Sequence, residues 1–244
     1  MVEKYLNKIT LLKEGEILPL DWNYNEKVDI IIVDPPYEIK KKLNMNNLKT
    51  KGKDYSTYNG EWDTIKPYSE EMFKALKENS LACVFATQHN LFIDGYRMKK
   101  SGFEIINIIK WVKPDAMPNL TRSRLKQDTE FIIVGRKGKS YYFDYNYSLT
   151  VEDKLSAIGK QLGETWIVGK TKGGKRGLHP CQKPEWIIER LLKLYTKEND
   201  IVLDFFAGSG TTGIVAKKLN RNFIMFDCIE KYVITAQKRL EGVL

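Results

Sequence analysis

The sequence predicts an α/β fold in which a mostly parallel sheet carries helices on both faces. Apolar runs of strand length alternate with segments of helical periodicity along most of the chain. Several of these runs are apolar without alternation, as expected for parallel strands that are covered on both faces. At 244 residues, the chain is long enough to bury one sizeable core. We therefore predict a single domain spanning residues 1–244.

Seven apolar runs are predicted to form the strands of this sheet. In chain order they are residues 8–12, 29–33, 81–86, 104–112, 130–135, 201–205 and 222–226. The fourth and fifth runs have no evident crossover helix between them, so these two could form an antiparallel pair at one edge of the sheet. The other runs are separated by enough chain for the helical crossovers that parallel strands need.

Helical periodicity predicts helices at residues 69–78, 184–197, 211–219 and 231–240. The second of these opens with Pro184, which suits an early helical position. Two polar stretches, residues 38–60 and 137–177, interrupt the alternation of strands and helices. Long structureless segments are uncommon inside a compact domain unless they are functional. We interpret both as segments that contact nucleic acid; mobile surface insertions without a role are the alternative.

Charge favours a polyanionic partner. Lys and Arg number 40 against 31 Asp and Glu, which gives a net charge of +9 and a pI of about 9.2. A solubilising surface would have the same composition, but part of the charge is clustered. The segment between residues 40 and 53 holds six lysines and no acid, namely Lys40, Lys41, Lys42, Lys49, Lys51 and Lys53. Such clusters favour nucleic acid because neutralised phosphates release their counterions.

Other counts exclude several classes of protein. No apolar stretch approaches the ~20 residues of a membrane span, and the first residues lack the pattern of a signal peptide. The three cysteines, Cys83, Cys181 and Cys228, stand far apart, and the chain has only two histidines. We therefore expect a cytoplasmic protein with reduced thiols, no membrane partner and no metal site.

A glycine-rich motif follows the sixth predicted strand. It reads Asp204-Phe205-Phe206-Ala207-Gly208-Ser209-Gly210-Thr211-Thr212. Gly208 and Gly210 allow a tight turn that brings backbone close to a ligand, and Thr211 or Thr212 can cap the following helix. The next strand is followed by Asp227, about where an acid accepts ribose hydroxyls. The combination predicts an adenosine-type cofactor at the carboxyl ends of the strands; a purely structural turn is the alternative.

A second motif, Asp34-Pro35-Pro36-Tyr37, follows the second predicted strand. The two prolines lack N–H groups, which leaves main-chain carbonyls free to accept hydrogen bonds. An exocyclic amino group is a poor nucleophile because its lone pair is delocalised into the ring. A carboxylate and a carbonyl that accept its two hydrogens bias that lone pair toward an electrophile, and Tyr37 offers a flat face to a base. The motif alone suits chemistry on a planar amino group, and a turn capped by Asp34 is the alternative. Together with the glycine-rich motif it suggests methyl transfer onto a nucleobase.

With these two motifs the chain resembles the β subgroup of amino-methylating DNA methyltransferases, which act on adenine N6 or cytosine N4. In that subgroup the catalytic motif precedes the cofactor motif, and the resemblance covers most of the chain. The supporting matches are Glu61-Trp62-Asp63, Lys110-Trp111-Val112-Lys113-Pro114, Glu130-Phe131-Ile132-Ile133-Val134-Gly135 and the more specific His179-Pro180-Cys181-Gln182-Lys183-Pro184. The resemblance implies a Rossmann-like methyltransferase fold with circularly shifted motif order and S-adenosyl-L-methionine as cofactor. It also implies a DNA-associated protein of prokaryotic or viral type.

The resemblance also implies roles for individual residues. Asp34 and the carbonyl of Pro35, with Pro36 in the same motif, would hold the target amino group, and Tyr37 would stack on the base. Glu16 is expected at the cofactor adenine, where relatives have Asp. The other expected cofactor contacts are Asp34, Gln182, Lys183, Asp204, Phe206, Ala207, Gly208, Ser209, Gly210, Thr211, Thr212 and Asp227.

The expected substrate is double-stranded DNA with the target base flipped out. The Asp-Pro-Pro-Tyr spelling favours adenine, because cytosine enzymes of the subgroup more often carry Ser in place of Asp34. Sequence recognition is expected in residues 137–177, with Arg122 and Arg124 flanking the cleft. Phosphate contacts, which position a protein without reading sequence, are expected from Lys170, Lys172, Lys175 and Arg176.

Three further readings stay open. One is a cytosine-N4 enzyme, another is a non-catalytic DNA-binding relative, and the third is a methyltransferase of RNA or of a protein amide. The subgroup often dimerises and often serves restriction-modification, but the sequence gives neither the oligomeric state nor the recognition site. Whichever holds, we expect the strands that lead to Asp34 and Asp204 to be neighbours, and strand 8–12 to complete the cofactor half of the sheet.

Overall fold

The computed structural model of the chain describes residues 2–25, 27–36, 68–116, 118–119, 122–168 and 182–243. Eight strands are found within these residues: β1 (Lys8–Leu11), β2 (Val28–Val33), β3 (Leu76–Ala86), β4 (Glu104–Val112), β5 (Thr129–Lys137), β6 (Thr165–Ile167), β7 (Ile201–Asp204) and β8 (Asn222–Asp227). They form one sheet in the order β1-β8-β7-β2-β3-β5-β4-β6. The predicted mostly parallel α/β sheet is confirmed.

One strand runs against the others. Strand β5 is antiparallel to both β3 and β4, whereas all the other neighbouring pairs are parallel. The N-terminal end of β5 therefore lies at the same edge of the sheet as the C-terminal ends of its neighbours. Register shows this directly, because Phe131 near the start of β5 pairs with Ala86 at the end of β3.

The helices are α1 (Val2–Tyr5), α2 (Ser69–Ala75), α3 (Leu91–Lys100), α4 (Tyr145–Ser148), α5 (Glu185–Tyr195), α6 (Thr211–Lys218) and α7 (Glu230–Leu240). They cover both faces of the sheet. Ile30 and Ile32 of β2 pack in one apolar cluster with buried residues of α5, α6 and α7. Ile31 and Val33 pack in the other, with buried residues of α1, α2 and α3. Burial on both faces explains why this strand is apolar at nearly every position.

The sequence prediction was wrong in three places. The sheet has eight strands rather than seven within the described residues, because β6 adds in parallel to β4. The antiparallel pair of β4 and β5 is confirmed, but β6 and not β4 is the outermost strand on that side. Strand β3 begins at Leu76 rather than at residue 81, so helix α2 is shorter than predicted.

Helix α3 was not predicted. Its core-facing positions include the polar Asp94 as well as Met98, while Phe92 and Tyr96 are exposed. Polar residues inside and aromatic residues outside blur the apolar stripe by which a helix is recognised. Within the ranges described above, no helix is long and apolar enough to cross a membrane.

The part of the 137–177 segment that the structure describes packs onto the domain core. The guanidinium of Arg190 in α5 lies between two indole rings, 4.9 Å from the Trp166 ring centroid and 5.1 Å from that of Trp186. The same group pairs with Asp153 at 3.2 Å. The indole N–H of Trp111 donates to the carbonyl of Val168 at 2.9 Å. These contacts join residues 153–168 to α5 and β4.

Candidate active site

Three carboxylates follow three neighbouring strands at one edge of the sheet. Asp34 comes directly after β2, Asp204 ends β7 and Asp227 ends β8. Ile31 of β2 pairs with Leu203 of β7, and Asp204 pairs with Met225 of β8. The predicted adjacency of the strands that lead to Asp34 and Asp204 is therefore confirmed. Strand β1 pairs with β8, so the predicted position of the first strand is confirmed as well.

The glycine turn after β7 has left-handed backbone at two positions. Gly208 has φ of 50° and Gly210 has φ of 78°. The amide of Ala207 donates to the carbonyl of Phe226 at 3.0 Å, and the amide of Gly210 donates back to the carbonyl of Ala207 at 2.8 Å. A Cβ on Gly210 would stand 2.7 Å from the Cβ of Ala236. Glycine is therefore required at Gly210 on both conformational and steric grounds.

Asp204 holds this turn from inside the protein. Its Oδ1 accepts a hydrogen bond from the amide of Phe206 at 3.0 Å, and its Oδ2 accepts one from the Thr212 hydroxyl at 2.7 Å. Burial raises the pKa of Asp204 to about 7, against the opposing effect of these two donors. The predicted helix cap by Thr211 or Thr212 is wrong, because Gly210 is the N-cap residue and no side chain caps α6.

Asp227 ties the turn to the end of β8. Its Oδ2 accepts a hydrogen bond from the amide of Gly208 at 2.8 Å, and its Oδ1 accepts one from the amide of Ile229 at 2.9 Å. Burial raises the pKa of Asp227, while the backbone amides oppose that rise. Each carboxylate oxygen has two lone pairs, so these bonds leave acceptor capacity for ribose hydroxyls.

The remaining residues of the turn are held by packing and by one arginine. Phe206 contacts Tyr68 edge to face, with ring centroids 5.6 Å apart. Arg239 of α7 donates to the carbonyl of Ser209 at 2.6 Å and to the hydroxyl of Thr211 at 3.4 Å. Ser209 and Thr211 are both buried. The turn is thus a rigid loop attached to β7, β8 and α7.

Glu16 and Gln182 are two further residues expected to contact the cofactor. Glu16 follows β1 and accepts a hydrogen bond from the amide of Lys13 at 3.1 Å. The Oε1 atom of Gln182 is buried and has no hydrogen-bond partner within the described residues. A buried amide oxygen without a partner fits a ligand that brings its own donor, such as the ammonium group of S-adenosylmethionine. The residues present therefore fit this cofactor.

At the end of β2, Asp34 forms ion pairs within a row of side chains of alternating charge. Its Oδ2 lies 2.6 Å from the Nζ of Lys183, which in turn lies 3.5 Å from Oε2 of Glu130. The Nζ of Lys113 lies 2.5 Å from Oε1 of the same glutamate. Burial alone would raise the pKa of Glu130, but Lys183 and Lys113 outweigh it and hold the pKa at about 2.

Several predicted site residues fall at or near this edge, and others lie outside the described residues. Pro35 is buried and Pro36 is half-buried, directly after Asp34. Arg122 and Arg124 are exposed on the segment that joins the end of β4 to the start of β5. The residues outside the described ranges are Tyr37, Lys40, Lys41, Lys42, Lys49, Lys51, Lys53, Lys170, Lys172, Lys175 and Arg176.

The sequence reasoning missed three residues that the structure brings to this site. Lys113 and Glu130 are charged residues at the end of β4 and the start of β5. Their positions at the ends of apolar strand runs could have indicated that they belong to the site. Arg239 contacts the glycine turn from α7, and no local pattern indicates that contact. No cluster of three or more His, Cys, Asp or Glu side chains suited to a metal ion occurs in the part of the chain that the structure describes.

Comparisons with known proteins match the chain to DNA methylases. A family model described as DNA methylase matches residues 28–238. The chain is similar to the type II methyltransferase M2.LlaDCHI of Lactococcus lactis subsp. cremoris, with 38% identity over 88% of this chain and 82% of that protein. It is also similar to the type II methyltransferase M2.DpnII of Streptococcus pneumoniae, with 34% identity over 97% of this chain and 91% of the relative.

Solved structures agree with this. The complex of M1.HpyAVI with S-adenosylmethionine matches with a TM-score of 0.69 and 30% identity, over 96% of this chain and 98% of the other. PvuII DNA methyltransferase, described as cytosine-N4-specific, matches with a TM-score of 0.66 and 17% identity, over 95% of this chain and 85% of the other. The second likeness concerns the fold alone. The mostly parallel sheet with helices on both faces is thus a Rossmann-like methyltransferase fold.

Proposed function

Because this chain belongs to the DNA methylase family, we propose that it methylates the N6 amino group of an adenine flipped out of double-stranded DNA. The chain is a DNA methyltransferase related to type II enzymes of restriction-modification, and it uses S-adenosylmethionine as the methyl donor. The choice of adenine rests on the residue type at one position. Asp34 stands where cytosine-N4 enzymes of the β subgroup more often have Ser.

The observation that carries the proposal is the place of Asp34 in the fold. It follows the strand that pairs with β7, and β7 leads directly into the glycine turn proposed to bind the cofactor. A base held at Asp34 and a methyl donor held at that turn would therefore lie side by side. Proximity and alignment of donor and acceptor supply much of the rate enhancement when both reactants are held within ~3–3.5 Å.

The chain's own residues are proposed to prepare the nucleophile. The Asp34 carboxylate and the Pro35 carbonyl accept the two hydrogens of the amino group and direct its lone pair toward the methyl carbon. When bound, S-adenosylmethionine supplies a methyl group already activated by the positive sulfur. The amino nitrogen would take this methyl group, and the electron pair of the broken C–S bond would stay on the departing sulfur. Asp34 would accept the proton that the nitrogen then loses and would pass it to solvent.

We assign the cofactor contacts to the residues of the glycine turn and to its surroundings. The turn from Phe206 to Thr211 would surround the donor, and Asp227 would accept hydrogen bonds from the ribose hydroxyls. Gln182, whose buried Oε1 has no partner within the described residues, would accept from the ammonium group at the methionine end. Glu16 lies beyond β1, next to β8 in the sheet, and is proposed to contact the adenine ring.

The DNA is proposed to lie over the same edge of the sheet. Arg122 and Arg124 are exposed on the connection between β4 and β5, whose two ends both lie at that edge. We assign phosphate contacts to these arginines and to the lysine clusters at 40–53 and 170–176, and sequence recognition to residues 137–177. A homodimer remains an expectation from the resemblance, which sedimentation of the purified chain would test.

A transfer assay tests the chemistry at Asp34. We expect Asp34→Ala to abolish transfer of a radiolabelled methyl group to genomic DNA while S-adenosylmethionine still binds in calorimetry. Asp94→Ala is the matched control, because Asp94 is also a buried acid but belongs to α3 and bonds to Asn90. Normal turnover by Asp34→Ala would refute the proposed role. Loss of donor binding in that variant would move Asp34 from the base to the cofactor.

A further inference from the structure

Four charged side chains of alternating sign form a continuous row beside the proposed reaction centre. In spatial order they are Lys113, Glu130, Lys183 and Asp34, with successive closest nitrogen–oxygen distances of 2.5, 3.5 and 2.6 Å. The side chains of the two lysines are each 10% exposed, and those of the two acids are about 20% exposed. Such a row is costly to bury unless every charge is compensated.

The row exists because of the single strand that runs against the others. Parallel strands place only their C-terminal ends at the active edge, as β2 does with Asp34 and β4 does with Lys113. Strand β5 places its N-terminal end there instead, and Glu130 is its second residue. Lys183 reaches the same edge from the segment just before α5. An acid can therefore stand between the two lysines.

Lys183 is the member of the row that touches both acids. Its ammonium group binds Asp34 on one side and faces Glu130 on the other, and it also lies 5.1 Å from the centroid of the Phe85 ring. Lys113 holds Glu130 from the far side, and its ammonium group lies 5.3 Å from the centroid of the Trp111 ring. Without the negative charge of Glu130, the two ammonium groups would lose the carboxylate that lies between them.

We propose that Glu130 is a positioning residue, which acts by holding the ammonium group of Lys183 against Oδ2 of Asp34. Lys183 then holds the Asp34 carboxylate in one orientation. An ionised carboxylate is an acceptor on both oxygens. A carboxylate that only accepts hydrogen bonds is what the target amino group needs. This inference rests on the role proposed above for Asp34. It assigns to Glu130 no contact with base or cofactor.

The isosteric variant Glu130→Gln removes the charge and keeps the shape. We expect its kcat to fall by about 10- to 100-fold, since small misplacements of a reacting group cost rates of that order. Its Kd for S-adenosylmethionine should rise by much less than its kcat falls, because Glu130 contacts Lys183 but not the glycine turn or Asp227, which are proposed to hold most of the cofactor. A crystal structure of this variant should show the Nζ of Lys183 outside hydrogen-bond distance of Asp34.

Glu104→Gln is the matched control. Glu104 also forms an ion pair across the β4–β5 ladder, with Arg136, but at the opposite end of that ladder. Its kcat should equal that of the wild type. If Glu130→Gln has the same kcat as this control, or if Lys183 keeps its bond to Asp34 in the crystal, the positioning role is overturned.

A second variant decides the matter if Glu130→Gln does not fold. Glu130→Asp keeps the charge but withdraws it by one methylene group, so kcat should fall several-fold while donor affinity is kept. Unchanged kcat in Glu130→Asp would overturn the proposal. The role of Asp34 is tested apart from this: wild-type turnover by Asp34→Ala would refute the chemistry. Inactive Asp34→Ala beside fully active Glu130 variants would refute only the positioning role.

Discussion

The amide of Gly208 donates a hydrogen bond of 2.8 Å to Oδ2 of Asp227. This bond joins the glycine turn after β7 to the end of the neighbouring strand β8. The amide of Ile229 donates to the other oxygen of the same carboxylate at 2.9 Å. One side chain therefore fixes the turn and the start of the loop that leads to α7. A residue proposed to bind ribose is also part of the frame that shapes the binding site.

Removal of the Asp227 carboxylate should weaken the binding of S-adenosylmethionine more than it lowers the free energy of unfolding. We expect Asp227→Ala to lower the affinity for S-adenosylmethionine by at least about tenfold. The substitution removes the oxygens that would accept hydrogen bonds from the ribose hydroxyls, and it removes the partner of the Gly208 amide that holds the turn. Isothermal titration calorimetry measures this directly. Asp200→Ala is the control, since Asp200 lies before β7, at the opposite end of that strand, and accepts from the amide of Lys197. Unchanged affinity in Asp227→Ala would contradict the ribose assignment.

Substitutions at two glycines, Gly210 and Gly159, distinguish the cost of left-handed backbone from the cost of a steric conflict. Gly210 and Gly159 have similar φ angles, 78° and 85°, but a Cβ would meet Ala236 only at Gly210, whereas Gly159 has open space around it. Alanine in left-handed backbone costs about 1–2 kcal/mol, and overpacking adds about 1–3 kcal/mol. We expect Gly210→Ala to lower the free energy of unfolding clearly more than Gly159→Ala does. Equal losses in urea unfolding would show that the contact with Ala236 is unimportant.

Asp204 should make stability depend on pH near neutrality. Its pKa is raised to about 7 by burial, whereas an unfolded Asp titrates near ~3.9. The folded state therefore binds this proton more tightly, and the associated stability is full below about pH 4 and is lost as the pH rises through about 7. Relative to Asp204→Asn, the wild type should lose up to roughly 3–4 kcal/mol between pH 4 and 8.

Urea unfolding of both proteins at several pH values measures this difference. Glu130→Gln serves as the control, because the pKa of Glu130 is about 2 and its ordinary value also lies below pH 5. Its stabilising effect is lost only as the pH falls from about 4.5 toward 2, so its difference from the wild type should be constant between pH 5 and 8. A constant difference for Asp204→Asn as well would contradict the assignment.

Arg190 should be a principal anchor of the segment from residue 153 to 168. Its guanidinium lies close to the rings of Trp166 and Trp186 and pairs with Asp153. Arg190→Ala leaves that buried acid without its counter-ion, although the amides of Leu155 and Ser156 still donate to it. Breaking a buried ion pair in this way costs about 3–5 kcal/mol. Lys193→Ala on the same helix removes an exposed pair with Glu189 and should cost only about 0.3–0.5 kcal/mol. Similar losses in the two variants, measured by denaturant unfolding, would refute the anchoring role.

Much of the fold could be predicted because both sides of the sheet are covered. Continuous apolar runs marked the central strands, and the order of the two motifs placed the first strand in the cofactor half of the sheet, where it pairs with β8. The short strand β6 escaped prediction because three residues, Thr165–Ile167, leave no periodicity to read. Helix α3 escaped because its buried Asp94 and exposed Phe92 oppose the usual pattern.

The site was predictable where chemistry and sequence position coincide, and not where it depends on contacts across the chain. Asp34, Gly210 and Asp227 lie in short motifs whose residue types indicate their use. Glu130 and Lys183 are 53 positions apart in the sequence. Only the antiparallel course of β5 brings them together, and apolar periodicity does not show which strand is reversed. The capping role expected of Thr212 failed for a similar reason, because its hydroxyl bonds to the buried Asp204.

The most direct test of the central claim is the identity of the methylated base. Purified enzyme is incubated with S-adenosylmethionine and genomic DNA that lacks methylation, and single-molecule sequencing with nucleoside analysis reports base and context together. We predict N6-methyladenine within one short sequence, and none with Asp34→Ala. N4-methylcytosine, or methylated DNA of either kind from Asp34→Ala, would contradict the account.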